Sequence, residues 1–278
     1  MHRRSPSEID GIRAACAVVH QVQSAVEAAA SPGVSTLSLD ELAEATIRDR
    51  GGEPAFKGYH GFPASICASV NDEAVHGLPR TEPLEEGDLL CVDVGVQLDG
   101  WFGDGAFTIV LGHVDRRVRG LVDTTRAALE SGVAAARPGN RLSDISHAIE
   151  SAAAAGGVSV IREFGGHGIG RHLHEDPHLP NHGPPGRGPH LRAGHVLAIE
   201  PIFSLGQPGI VVDEDGWTAR TRDGSLAAHF EHTVAVTEDG PSLLTLSPGI
   251  ADTADSCPVC NQPPGGAEAP PEKAEDRG

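Results

Sequence analysis

The sequence predicts an α+β fold made of two copies of one helix-helix-strand unit. Three observations predict it: two successive helix pairs with apolar residues at three- and four-residue steps, extended apolar-rich chain after each pair, and matching spacers between them. Pro32-Gly33 to Pro138-Gly139 is 106 residues, and Gly51-Gly52 to Gly156-Gly157 is 105. An internal duplication of this kind implies two halves with a site between them.

The elements follow in order. Ser5-Pro6-Ser7-Glu8 is a capping box with proline at the first helical position, and Ile9, Ile12, Cys16, Val19, Val22 and Val26 then form one apolar face. This first helix ends before Ser31-Pro32-Gly33. Ser38, with Glu41 three residues on, caps a second helix that carries Leu39, Leu42, Thr46 and Ile47 inward and stops at Gly51-Gly52. Extended segments run from there to about Leu111. A third helix, about Arg117 to Ala136, stops at Pro138-Gly139. Ser143 opens a fourth, with Ile145, Ala148, Ile149 and Ala152 inward, and Gly156-Gly157 closes it before further strands. From about Pro248 the chain turns to Pro, Gly, Ala and Glu, so 1–247 is expected to be the folded domain and 248–278 a disordered tail. Cys257-Pro258-Val259-Cys260 lies in that tail and supplies two of the four ligands of a structural zinc site, so the tail is read as inert.

Composition narrows the function. The 278 residues are 39% hydrophobic and 22% charged, which is globular composition. Lys+Arg number 21 against 39 Asp+Glu, a net charge of −18, which argues against nucleic-acid phosphates or anionic membranes as partners. Arg13, His20 and Glu27 interrupt the N-terminal apolar stretch, so no secretion signal is expected, and no run is long enough for a membrane span. Five scattered cysteines suit reduced thiols, and a cytoplasmic location is expected.

The chemistry concentrates in a few segments. Asp99-Gly100 between two apolar-rich runs is a two-residue hairpin signal; in that register Leu98 faces Trp101, Gly95 faces Asp104 and Asp93 faces Ala106. Asp93 and Asp104 then share one face as diagonal neighbours about 7–8 Å apart at the backbone. Asp93 sits in Leu-Leu-Cys-Val-Asp-Val, where an unpaired charge is costly. Gly166-His167-Gly168 places a histidine where backbone or substrate can come close. Glu200 and Glu231 each lie in a strand-like apolar run and need a partner. Four buried carboxylates and one imidazole are untenable without compensation, whereas two divalent cations cancel the formal charge. Such a donor set suits Mn, Fe, Co or Zn in a hydrolase. His174-Glu175-Asp176-Pro177-His178 matches the H-E-x-x-H pattern of zinc proteases, but Pro177 disrupts the helix that motif requires.

These residues carry a resemblance. From about Ile9 to Leu246 the chain resembles the type I methionine aminopeptidases, through Gly33-Val34-Ser35-Thr36, Gly58-Tyr59-His60-Gly61-Phe62-Pro63, Val70-Asn71-Asp72-Glu73, His76-Gly77-Leu78-Pro79, Asp93 with Asp104, Gly166-His167-Gly168-Ile169-Gly170, His174-Glu175-Asp176-Pro177, Ile199-Glu200-Pro201 and Glu231-His232-Thr233. The resemblance implies a pita-bread fold, an α+β domain with pseudo-twofold halves, and a dinuclear centre ligated by Asp93, Asp104, His167, Glu200 and Glu231, with Asp104 and Glu231 bridging. It implies that Glu200 shuttles a proton, that His76 and His174 contact substrate, and that Tyr59, Phe62, Cys67 and Trp217 line the methionine pocket. Only 25 residues separate His174 from Glu200, too few for the helical insertion of the type II family. The implied reaction removes the N-terminal methionine of nascent peptides with a small second residue, with transient access to the ribosome and a monomeric enzyme. The rivals are an X-Pro aminopeptidase or prolidase on the same scaffold, and a non-catalytic pita-bread peptide-binding protein. Phe56, Leu173 and Gly105 depart from the pattern and bear on pocket shape and rate.

Overall fold

Helix α1 (Pro6–Ala29) starts at Ser5, which accepts the Glu8 N–H while the Glu8 carboxylate accepts the Ser5 N–H at 2.8 Å, the reciprocal bonding of a capping box. Helix α2 (Thr36–Asp49) begins earlier than its sequence suggests, with Ser35 as its cap rather than Ser38. Ser35 is held in extended backbone by a bridge to Pro83, so its side chain accepts the Ser38 N–H at 3.2 Å and Ser38 falls inside the first turn. Its buried face also shifts. Leu39, Asp40, Ala43 and Ile47 are buried and Leu42 and Thr46 only half-buried, because Asp40 accepts the Ser65 and Ile66 N–H groups at 2.8 and 3.0 Å.

Helices α3 (Arg116–Ala135) and α4 (Leu142–Gly156) form the second pair. The α4 cap is Arg141, two residues before Ser143, whose hydroxyl instead accepts the Arg187 N–H at 2.7 Å. Leu142, Ile145, Ile149 and Ala153 are buried, while Ala148 and Ala152 are half-buried. Gly157 in the left-handed region ends the helix.

The computed structural model describes residues 1–245. The expected tail, with Cys257 and Cys260, lies outside the described residues.

Each helix pair covers its own sheet. Helices α1 and α2 pack Val18, Val22, Val26, Leu39 and Ile47 against Leu90, Val92, Val94 and Val96 of the strand Leu89–Leu98, which pairs with Cys67–Val70, Glu53–Pro54 and Trp101–Val110. Helices α3 and α4 pack Leu121, Leu129, Ile145 and Ile149 against Leu197, Ile199 and Val234 in a five-stranded sheet ordered Gly240–Leu243, His232–Thr237, Val196–Ile199, Gly165–Gly168, Glu175–Pro180. Helices α1 and α3 end 106 residues apart, at Ala29 and Ala135, so the spacing in the sequence is a structural repeat. Two three-stranded sheets complete the fold: Ala227–His229, Ile202–Ser204, Ser159–Val160, and Ile210–Val212, Ala219–Thr221, Glu73–Val75.

The halves are stitched together where the acidic residues lie. The Asp104 N–H donates to Thr233 Oγ1 at 3.2 Å, the Thr233 hydroxyl donates to the Asp104 carbonyl at 2.8 Å, and the Glu231 N–H donates to the Ala106 carbonyl at 2.8 Å.

Candidate metal centre and substrate pocket

The hairpin places the two aspartates. Leu98 pairs with Trp101, Gly95 with Asp104 and Asp93 with Ala106, as the turn chemistry requires, with Asp99 and Gly100 both at positive φ (50° and 74°). Asp93 and Asp104 line one cavity of about 680 Å³ together with His167, Glu200 and Glu231.

The glutamates arrive by a different route from the one expected. Neither lies within a strand. Glu200 follows Val196–Ile199 and precedes Ile202–Ser204; Glu231 follows Ala227–His229 and precedes His232–Thr237. At both points the chain leaves one sheet and enters another. The two segments pair on either side of the break, His232 with Ile199 and His229 with Ile202, so the two free carboxylates stand side by side.

His167 comes from the strand Gly165–Gly168. Its flanking glycines answer to backbone rather than substrate. A Cβ on Gly166 would lie 2.2 Å from the Ala198 carbonyl oxygen, and one on Gly168 would lie 2.4 Å from that of Asp176. His167 Nδ1 lies 2.9 Å from the Gly168 carbonyl, to which it donates, so Nε2 carries the lone pair. That nitrogen is 3.8 Å from Asp104 Oδ2 and 3.8 Å from Glu200 Oε1. These separations are too long for hydrogen bonds and suit two ligands about 2.0–2.2 Å from one ion. Donor atoms of Asp104, His167 and Glu231 all lie within 4.8 Å of one another.

The electrostatics point the same way. Burial pushes Asp93 up to about 7, and burial with the Asp93 charge pushes Glu200 up to about 8. Asp104 rises well above the carboxylate range by burial and then by the Asp93 charge, and Glu231 by burial and then by the Asp104 charge. Burial, and secondarily His174, depresses His167 to about 3, keeping the imidazole neutral. Asp93 Oδ1 and Glu231 Oε1 are buried without a hydrogen-bond partner. Four carboxylates and a neutral imidazole with its lone pair inward fit divalent cations.

The remaining expected residues border the same cavity. Phe62 and Cys67 are buried in a cluster with Phe56, Ala64 and Leu173, and Tyr59 and Trp217 pack against it. Phe56 and Leu173 thus belong to the apolar wall. Gly105, the third departure, donates its N–H to Asp104 Oδ1 at 3.1 Å and accepts Gln23 Nε2 at 2.7 Å. His76, at φ 59°, stands edge-on to Phe164 at 5.2 Å, and burial holds it down to about 4. His174 lies 4.4 Å ring to ring from His167, and its Nδ1 is 2.9 Å from the Tyr59 hydroxyl. The H-E-x-x-H segment is extended, Glu175–Pro180 being a strand in which His178 faces His167 across the ladder, so no helix presents His174 and His178 together. One residue escaped the sequence reading. His229, two positions before Glu231, also lines the cavity, and its Nε2 is 3.6 Å from Glu200 Oε2.

A duplicated helix-helix-sheet scaffold holding buried carboxylates and an imidazole at the seam defines a class of metal-dependent peptidase. The model of metallopeptidase family M24 matches residues 10–238. Methionine aminopeptidase 1 of Mycobacterium tuberculosis is 53% identical over 251 residues, covering 88% of this chain and 94% of that protein. Methionine aminopeptidase 1 of Bacillus subtilis is 44% identical, covering 87% and 98%. The crystal structure of methionine aminopeptidase from Thermotoga maritima superposes with a TM-score of 0.88 at 44% identity, covering 89% of this chain and all of that one. The chain belongs to the methionine aminopeptidases of family M24, in their bacterial type I form, with the pita-bread fold. Prolidase from Pyrococcus furiosus, at 22% identity and a TM-score of 0.73, shares the fold.

Proposed function

We propose that this aminopeptidase removes the N-terminal methionine from nascent peptides whose second residue is small, using two divalent ions held by Asp93, Asp104, His167, Glu200 and Glu231. The observation that carries the reading is the union of that donor set with an apolar wall in one cavity. Two divalent ions offset the four carboxylates in formal charge; the donors suit Mn, Fe, Co or Zn. When bound, such ions lower the pKa of water toward neutrality and polarise a carbonyl.

The chain's own residues do the rest. Phe56, Tyr59, Phe62, Cys67, Leu173 and Trp217 enclose the methionine side chain. The Tyr59 hydroxyl donates to His174 Nδ1, which leaves the His174 proton on Nε2 as a donor toward the scissile carbonyl. His76, kept neutral by burial, offers a second donor. Glu200 takes a proton from the attacking water and delivers it to the leaving amine, its carboxylate standing in the same cavity as the two substrate-facing histidines. Three buried free thiols, Cys16, Cys67 and Cys91, support work in the reducing cytoplasm, where a monomer would meet chains leaving the ribosome. Among the described residues no helix is long and apolar enough to cross a membrane.

The test is hydrolysis of Met-Ala-, Met-Lys- and X-Pro-initiated peptides by chelator-stripped protein reloaded with each metal. Turnover confined to Met-Ala- is expected; preferential release from X-Pro- substrates would overturn the reading.

A further inference from the structure

We infer that His229 is a positioning residue that holds the Glu200 carboxylate through its Nε2. The inference rests on the role proposed for Glu200 above.

His229 is 2% exposed and rigidly placed. Its N–H donates to Thr108 Oγ1 at 3.0 Å, the Thr108 hydroxyl donates back to its carbonyl at 2.7 Å, and the residue pairs with Ile202 in the sheet. Both backbone polar groups are thus bonded to a single side chain of the opposite half. The imidazole has no such partner: Nε2 is buried and makes no hydrogen bond. The group facing it is Glu200 Oε2, at 3.6 Å. A buried nitrogen without a partner is costly, and a small rotation of the carboxylate closes this gap to hydrogen-bond distance.

Glu200 is prepared for that contact. Its carbonyl accepts Asn181 Nδ2 at 2.9 Å, so the backbone is anchored and the carboxylate end is left to be oriented. Oε1 faces His167 Nε2 at 3.8 Å while Oε2 faces His229. The two oxygens are therefore divided between two imidazoles. One lies among the expected metal ligands, and the other, His229, serves the carboxylate from behind. A hydrogen bond from Nε2–H to Oε2 selects one carboxylate orientation, as outer partners of metal-bound carboxylates do.

Reach is what the test exploits. In His229→Gln the side-chain amide nitrogen falls near the position of Nε2; in His229→Asn it stops short, with the same chemistry. At saturating metal on a Met-Ala-Ser peptide, His229→Asn should lose about 10–100-fold in kcat with KM within about twofold, while His229→Gln stays within about threefold of wild type. Thermal melts check folding, and His229→Leu replaces His229→Asn in the contrast should the latter not fold. Isothermal titration gives a readout independent of turnover. In the Glu200→Gln background, adding His229→Asn should leave metal affinity unchanged within about twofold. Equal kcat for the Gln and short variants, a change confined to KM, or further weakening of metal in the Glu200→Gln background would overturn the inference, the last by making His229 a ligand itself. A wild type inactive on Met-Ala-Ser would instead refute the proposed function, so the two failures are distinguishable.

Discussion

Replacing Thr108 by valine removes one hydroxyl from the joint between the halves and nothing else of comparable size. That hydroxyl accepts the His229 N–H at 3.0 Å and donates to the His229 carbonyl at 2.7 Å, and it lies 3.3 Å from Cys91 Sγ, all in buried surroundings. Thr108→Val leaves a buried donor and a buried acceptor without this partner, at about 1–3 kcal/mol each, so the loss should be about 2–6 kcal/mol. For a domain of this size each kcal/mol moves Tm by roughly 2–4 °C, giving a fall of roughly 4–24 °C. Thr108→Ser keeps the hydroxyl and removes a methyl, worth about 1 kcal/mol. Differential scanning calorimetry of the three proteins, each metal-loaded, measures the effect. A Thr108→Val melt within 2 °C of wild type, or Thr108→Ser falling as far as Thr108→Val, would refute the reasoning that the hydroxyl carries the joint.

Other outcomes follow from the site. His76→Ala and His174→Ala should keep their metal content but lose roughly 10²–10³ in kcat, His167→Ala should lose metal, and His178→Ala should change neither; metal analysis beside kcat decides, and metal loss in His178→Ala alone would revive a single-zinc site. Stripped of metal, the protein should lose stability between pH 6.5 and pH 8.5. Glu200 and Asp93, raised to about 8 and about 7, contribute stability that is present below the ordinary carboxylate range and lost as pH rises through those values, whereas His76 and His167, depressed to about 4 and about 3, have no further contribution above their ordinary range. One proton over those two pH units is about 3 kcal/mol, roughly 6–12 °C in Tm, and saturating Mn should abolish the drop; a flat profile in chelator counts against the crowded carboxylates. Truncation after Pro248 should leave Tm and turnover unchanged, since the composition beyond it offers little apolar surface to bury; a large loss of either would give Cys257 and Cys260 a role.

What could be read directly from the sequence is what local chemistry governs. The Asp99-Gly100 turn sets the hairpin register because few residue pairs tolerate positive φ at both positions, and that register alone put Asp93 and Asp104 on one face. The α1 cap is a four-residue motif, and it appears as written. The family motifs named the remaining candidate residues, and these line one cavity. Tertiary structure decided what depends on partners distant in the chain. The α2 cap moved to Ser35 because Pro83 holds it extended, and Asp40 is buried because the backbone at Ser65 and Ile66 donates to it. Glu200 and Glu231 look like strand residues in sequence, yet each stands at a break where the chain changes sheets. At Glu200 the following Pro201 is a local mark of the break, but at Glu231 none is visible, and the pairing of two segments some 30 residues apart on both sides of it exists only in the fold. His229 is the plainest case: a histidine in an apolar run has no visible role until the fold turns its Nε2 toward Glu200.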